Sequence, residues 1–276
     1  MRASLSTGIS MHFAVSGEGE PVLLIPGTSL DHRALDLQRE AYAKEFKVIA
    51  IDPRGAGRTD APTWERDYST EIMADDVAAL IDALDLGAAH IFGLSLGSAI
   101  AQQLAIRHPP KVLSLQLHGT WARSDEWFQQ AFVDPMLFFL KCGEFHRLFK
   151  FGQALVMSPE YVTSRSPARV ERIVTNCLVK SPYPAPAHGF GGQLHADGAH
   201  DAEALLPNIK VPTLVTVGTL DSNTPERYGR HVANLIPGAR FHVFEGPRAS
   251  HCACWEMPDE FNKVTLDFLR SVKKRR

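Results

Sequence analysis

Short apolar runs bounded by turn residues alternate along this chain with longer stretches of helical periodicity, the pattern of a mostly parallel sheet covered on both faces by helices. Pro21 to Pro26 (PVLLIP), Lys47 to Ile51, Ala89 to Gly93, Val112 to Leu117, Val211 to Val217 and Arg240 to Phe244 read as successive buried strands. Between them, Ile72 to Leu84 repeats apolar residues on one face, and Leu96 to His108 stops before Pro109 and Pro110. Pro225 to Leu235 reads as a further helix. The last runs from about Pro258 to Val272, with Phe261, Val264, Thr265, Phe268 and Leu269 on its buried face. The fold class is therefore α/β.

The rhythm breaks between Trp121 and about Asn208, where helical stretches occur without a convincing strand. This segment reads as an insertion, so residues 1–120 and 209–276 are expected to form the core and residues 121–208 a helical cap. The insertion is rich in Phe (Phe128, Phe132, Phe138, Phe139, Phe145, Phe149, Phe151), which could be buried against the core or presented to a ligand. A length of 276 residues with 45% hydrophobic content suits one large domain carrying such an insertion.

Charge narrows the partners. A formal net charge of -2, with both signs mixed along the chain, gives no footprint for nucleic acid or an anionic membrane. The basic run Lys273-Lys274-Arg275-Arg276 reads as a solvated helix end. No stretch approaches a signal peptide or a span of about 20 apolar residues, so a cytoplasmic protein acting on a small molecule is expected. Oligomeric state is not encoded in any pattern found. Cys142, Cys177, Cys252 and Cys254 lack zinc-site spacing and disulfide density and read as reduced thiols. His188, His195 and His200 lie in a Gly/Pro-rich stretch that reads as a loop; no metal and no cofactor are expected.

The chemistry resides in three places. Gly93-Leu94-Ser95-Leu96-Gly97 follows a strand and opens a helix, which is the context a nucleophile elbow requires. Its glycines permit a sharp turn that projects the Ser95 hydroxyl at a helix N-terminus, where backbone N–H groups favour a developing anion. A serine hydroxyl needs a base, and the base needs an orienting acid. His251, beyond the last strand, and Asp221, in Gly218-Thr219-Leu220-Asp221, supply them in the order Ser, Asp, His. Asp221 could instead cap or turn the chain before Pro225, and Asp125 is a rival acid.

The loop Pro26-Gly27-Thr28-Ser29 is placed to give one backbone N–H to an oxyanion, from Thr28 with Ser29 as second choice, while Leu96 gives the other. His118 and Trp121, with Ser29, are candidate pocket residues, since the first two fall at the end of a strand on the active-site side. Asp52-Pro53-Arg54-Gly55-Ala56-Gly57 lacks the third glycine and helix start of a dinucleotide loop and reads as a turn.

Taken in order, the elbow, the oxyanion loop, Asp-Pro-Arg-Gly-x-Gly, Gly-x-x-Asp and the late histidine make the chain resemble α/β-hydrolases over nearly its full length. The resemblance implies an eight-stranded sheet, a helical lid after the sixth strand and acyl transfer through a serine ester. Ser95 at the elbow, in place of an aspartate, argues against haloalkane dehalogenases and epoxide hydrolases. His251 to Glu256 with Pro258 to Asn262 is similar to the C-terminal stretch of hydrolases that cleave carbon–carbon bonds of ring-fission products. The oxyanion loop, Leu94, Cys252 and Cys254 depart from that group, and the general pattern also resembles enol-lactonases and small carboxylesterases. Ester or lactone hydrolysis is the leading expectation, with carbon–carbon bond hydrolysis and a non-hydrolytic ligand receptor as the alternatives.

Overall fold

The computed structural model describes residues 1–164 and 182–273; Cys177 and the last three residues of the basic terminal run lie outside them. An eight-stranded sheet runs in the order β1-β2-β4-β3-β5-β6-β7-β8. Strands β3 (Pro21–Ile25), β4 (Lys47–Ile51), β5 (Ala89–Leu94), β6 (Val112–His118), β7 (Thr213–Gly218) and β8 (Arg240–Phe244) are parallel and correspond to the six apolar runs. Five of their side chains in β5 alone could not alternate in exposure, because every position of that strand is buried beneath helices on both faces.

Two further strands, β1 (Arg2–Ser4) and β2 (Ser10–Ser16), add antiparallel to the β4 edge. Their sequence hides them: β2 carries Ser10, His12 and Ser16 among its apolar residues, and only the Phe13 to Ile51 register shows which side chains turn inward.

Helices α1 (Asp36–Tyr42), α2 (Thr70–Ala83) and α3 (Leu96–Arg107) cover the sheet. Ser69 caps α2 by accepting from Ile72 N at 3.2 Å. One apolar cluster, with Leu23, Ile49, Ile91 and Leu115, packs against α2 and α3; another, with Leu24, Val48, Phe92 and Phe244, packs against α1 and the C-terminal helix. The chain leaves β3 toward β4 on one side and β5 toward β6 on the other, so the strand order reverses between β3 and β5. In open α/β sheets the crevice beyond such strand ends is where ligands bind.

Between β6 and β7 the described chain forms helices: α4 (Glu126–Phe128) continues through a wide π turn (Gln129–Val133) into α5 (Asp134–Lys141), followed by α6 (Phe145–Val156), α7 (Pro159–Thr163) and α8 (Ala187–Ala199). The two ends of this segment meet, with Arg123 and Asp201 forming an antiparallel bridge and Ala202 N donating to Ala122 O at 2.8 Å. Phe128, Phe132 and Phe149 pack with Trp121, Leu148 and Phe190, whereas Phe138 and Phe145 are exposed.

Helix α8 overturns one expectation, since His188 and His195 sit on a helix and His200 directly follows it rather than lying in a loop. Glycines that discourage a free helix are required here by close packing. A Cβ at Gly189 would come within 2.4 Å of Gly55 O, and one at Gly192 within 2.3 Å of the Tyr68 ring. After β7 come α9 (Glu226–Leu235), α10 (Ala253–Glu256) and α11 (Pro258–Lys273). Among the described residues no helix is long and apolar enough to cross a membrane.

Candidate active site

Ile25 pairs with Gly93 in the sheet, so the loop after β3 and the turn after β5 emerge side by side. Ser95 has φ 55° and ψ -122°, a sparsely populated conformation for a residue with a side chain. Its neighbours hold it there. Ser95 N donates to His118 O at 2.9 Å, and Ser98 Oγ donates to Ser95 O at 2.6 Å. A Cβ at Gly93 would meet Gly97 O at 2.2 Å, and one at Gly97 would meet Ile25 O at 2.1 Å, so α3 starts hard against the end of β3. The Ser95 side chain thus stands at the N-terminus of α3 and borders a cavity of about 530 Å³.

His251 borders the same cavity, and its Nδ1 donates to Asp221 Oδ2 at 2.8 Å. That bond fixes the neutral tautomer and leaves Nε2 as the acceptor. The Asp221 carboxylate is saturated: Oδ1 accepts from Asn223 N (3.0 Å) and Thr224 N (2.7 Å), and Oδ2 also accepts from Thr224 Oγ1 (3.0 Å). The two readings of Asp221 are therefore compatible, because the same carboxylate forms the turn before Pro225 and holds the histidine. Thr224 and Gly119 were not singled out from sequence. The first could have been found from the Asp-x-x-Thr spacing of a side-chain turn, the second only from the structure. Gly119, at φ +59°, comes so close to the His251 ring that a Cβ there would collide with it.

Asp125, the rival acid, is elsewhere. It caps α4 by accepting from Phe128 N at 2.9 Å, and Tyr228 Oη donates to it at 2.5 Å. His118 and Trp121 also need correction, since neither borders the cavity. His118 is fully buried behind His251, with Nε2 donating to the His251 carbonyl at 3.1 Å and Nδ1 accepting from Thr216 Oγ1 at 2.9 Å. Burial, with the neighbouring His251, pushes its pKa down to about 4, so it is a neutral support. Trp121 is fully buried, stacked on Phe128 with centroids 4.8 Å apart. Pointing along the strand end toward the site was not enough, because the chain after His118 turns under the insertion.

In the β3 loop, Gly27 lies so close that its Cβ would be 3.2 Å from the Ser95 Cβ. Thr28 and Ser29 both border the cavity. Ser29 N already donates to Gln193 Oε1 at 2.6 Å, so of the two backbone N–H groups that of Ser29 is engaged by a side chain. Thr28 Oγ1 donates to Asp197 Oδ2 at 2.7 Å. Asn223 and Gln153 add polar groups to a lining otherwise dominated by Phe132, Met136, Leu148, Phe149, Phe190 and Trp255. Arg33, the guanidinium among the described lining residues, is bonded to Asp31. Cys252 borders the cavity as a buried free thiol, with burial pushing its pKa up; Cys142 and Cys254 are also free.

A second buried polar group was passed over in the sequence. His12, His32 and Asp52 place ligand-type atoms within 4.8 Å of one another. Asp52 Oδ1 accepts from His32 N (2.9 Å) and faces His32 Nδ1 (2.5 Å); Oδ2 accepts from Arg58 N (2.8 Å) and faces His12 Nδ1 (3.1 Å). His32 is hydrogen-bonded to the carboxylate, whereas His12 Nδ1 lies close to it without forming a hydrogen bond, so the trio brings β2 and the β3 loop together at the end of β4.

The profile of the alpha/beta hydrolase fold family matches residues 20–258, and the chain belongs to that family. It is 27% identical to a protein named as the carbamate hydrolase RutD from Azorhizobium caulinodans, over 95% of this chain and 96% of the relative. It is 28% identical to a 2-hydroxy-6-oxo-6-phenylhexa-2,4-dienoate hydrolase from Burkholderia cepacia, over 94% and 91% of the two chains. The enol-lactonase from Burkholderia xenovorans LB400 superposes with a TM-score of 0.87 at 27% identity, covering 98% of this chain and 100% of that one. With this family match and these hydrolase relatives along nearly its whole length, the chain is a hydrolase.

Proposed function

We propose that the protein is a serine hydrolase that cleaves a carboxylic ester or lactone of a small, largely apolar substrate through an acyl-enzyme on Ser95. The observation that carries this is the 2.8 Å bond from His251 Nδ1 to Asp221, made beside a strained Ser95 on a shared cavity. In this reading His251 Nε2 takes the Ser95 proton as Oγ attacks the carbonyl carbon, and the oxyanion accepts from the N–H groups of Thr28 and Leu96. His251 then protonates the leaving oxygen, and a water, deprotonated by the same ring, releases the acid.

In this reading residues 121–208 act as a cap, since apolar side chains of their described part, among them Phe132, Met136, Leu148, Phe149 and Phe190, line the cavity. The thiols Cys142, Cys252 and Cys254 suit a reducing cytoplasm. A fluorophosphonate probe is expected to label the protein, and Ser95→Ala to abolish both labelling and turnover of aryl esters. Full activity in Ser95→Ala would sink the proposal.

Carbon–carbon bond hydrolysis is the second reading, favoured by the similarity to the dienoate hydrolase. A dienoate carries a carboxylate, and Arg33 is engaged by Asp31, so a neutral ester or lactone fits the described lining better. Bleaching of a coloured ring-fission product decides between them.

A further inference from the structure

Gln193 and Asp197 stand one turn apart on α8, and both reach out of the insertion to the β3 loop. Gln193 Oε1 accepts from Ser29 N at 2.6 Å, while its Nε2 donates to Arg54 O at 2.7 Å. Asp197 Oδ2 accepts from Thr28 Oγ1 at 2.7 Å. Both side chains are fully buried. Ser29 is held at φ 64°, a left-handed conformation, by this grip on its N–H. The two residues flanking the Thr28–Ser29 peptide are thus each tied by a side chain to one helix, and neither tie runs to the sheet beneath.

We propose that Gln193 and Asp197 are positioning residues for the oxyanion loop: they set the direction of the Thr28 N–H from the insertion, through the Thr28 hydroxyl and the Ser29 amide. This rests on the proposed role of the Thr28 N–H. The consequence is that the helix covering the site also completes it, so a displaced α8 would leave Ser95 and His251 in place with a misaligned donor.

The Asp197 carboxyl has a second feature. Its Oδ1 is buried without a hydrogen-bond partner, a setting that disfavours the full charge of a carboxylate. Burial, opposed only by the Thr28 bond, raises its pKa to about 8. The charged groups on packed elements do not counter this: Glu65, Arg66 and Asp67 before α2, Arg107 on α3, and Asp134 and Lys141 on α5 lie toward the surface, and the buried Arg54 beside Gly55 is paired with Asp76. His200 beyond α8 is bonded to Thr70 and Gln102 and held neutral by burial, and across the loop His251 pairs with Asp221, Asp31 with Arg33. Ionised, Asp197 would set a negative charge one hydroxyl away from the residue that must stabilise an oxyanion. Turnover should therefore fall as pH rises through about 8.

The experiment compares wild type, Asp197→Asn and Asp197→Ala on a p-nitrophenyl ester. Asp197→Ala should lower kcat by about 10- to 100-fold with little change in KM, as expected of a donor misplaced by a fraction of an ångström. It should also weaken a boronic acid, which forms a tetrahedral adduct, by a similar factor. Asp197→Asn keeps an acceptor for Thr28 and cannot ionise, so it should restore most of kcat and remove the alkaline decline. The proposal is overturned if folded Asp197→Ala keeps wild-type kcat and boronate affinity. If Asp197→Ala does not fold, an alkaline decline identical in wild type and Asp197→Asn, or none in wild type, overturns it equally. Failure of the hydrolase reading looks different, because Ser95→Ala would then stay active whatever position 197 carries.

Discussion

The backbone of Gly119 lies against the imidazole of His251, so closely that a Cβ there would stand 2.5 Å from Cε1 and 2.8 Å from Nδ1. Gly119 also adopts φ +59°, which side chains disfavour. Gly119→Ala should push the ring off its Asp221 bond and lower kcat by about 100-fold. Steady-state kinetics on an aryl ester, with circular dichroism to show the fold is kept, would check this. Unchanged kcat would mean that the ring adjusts freely.

Thr224 supplies the third kind of donor to Asp221, after two backbone N–H groups and the histidine. Thr224→Val keeps the shape and removes the hydroxyl, leaving the His251–Asp221 bond to hold the ring alone. A hydrogen bond to a charged group is worth about 1.5–3 kcal/mol, so kcat should drop by roughly tenfold or more while KM holds. Slower fluorophosphonate labelling should accompany it.

His200 is buried, bonded to Thr70 and Gln102, with its pKa pushed down to about 4 by burial. The unfolded chain binds its proton below about 6.5, whereas the folded chain resists until about 4. Its contribution to stability is therefore full above pH 6.5 and shrinks as pH falls toward 4. Urea unfolding of wild type and His200→Gln at successive pH values should show their difference changing by at most about 1.4 kcal/mol per unit in that window, and flat above it.

Arg54 and Asp76 form a buried two-pronged pair, with both nitrogen to oxygen distances 2.7 Å. Arg54→Met would strand a carboxyl that burial already pushes above its usual range. A loss of about 3–5 kcal/mol in urea unfolding is expected. The double variant Arg54→Met, Asp76→Leu should recover much of it.

The apolar lining of the cavity predicts a chain-length preference. Each buried methylene contributes about 0.8 kcal/mol, so kcat/KM for p-nitrophenyl acetate, butyrate and hexanoate should rise by roughly fourfold per carbon until the cavity fills. Phe149→Ala should extend the preferred length. A flat series would show that the acyl chain stays outside.

How much of this was legible in the sequence differs by element. The six parallel strands and the elbow could be read because each is a local pattern: short, mainly apolar runs between turn residues mark the strands even where His90 or Gln116 interrupts them, and a turn as tight as that at Ser95 must have Gly93 and Gly97. Strands β1 and β2 could not, since polar residues punctuate both and each is defined only by the strand it pairs with. Helix α8 reads as a loop in the sequence because its glycines serve contacts with Gly55 and Tyr68 that lie far away along the chain.

By itself, then, the sequence determined the class of fold, the order Ser95, Asp221, His251, and the kind of chemistry those side chains support. Tertiary structure decided which acid meets His251, that His118 and Trp121 lie behind the site and not in it, and that Thr28 and Ser29 are gripped by Gln193 and Asp197. The reason is physical. Side-chain type and local spacing record what a residue can do, but the partner it meets across more than 160 positions depends on how sheet and insertion pack together.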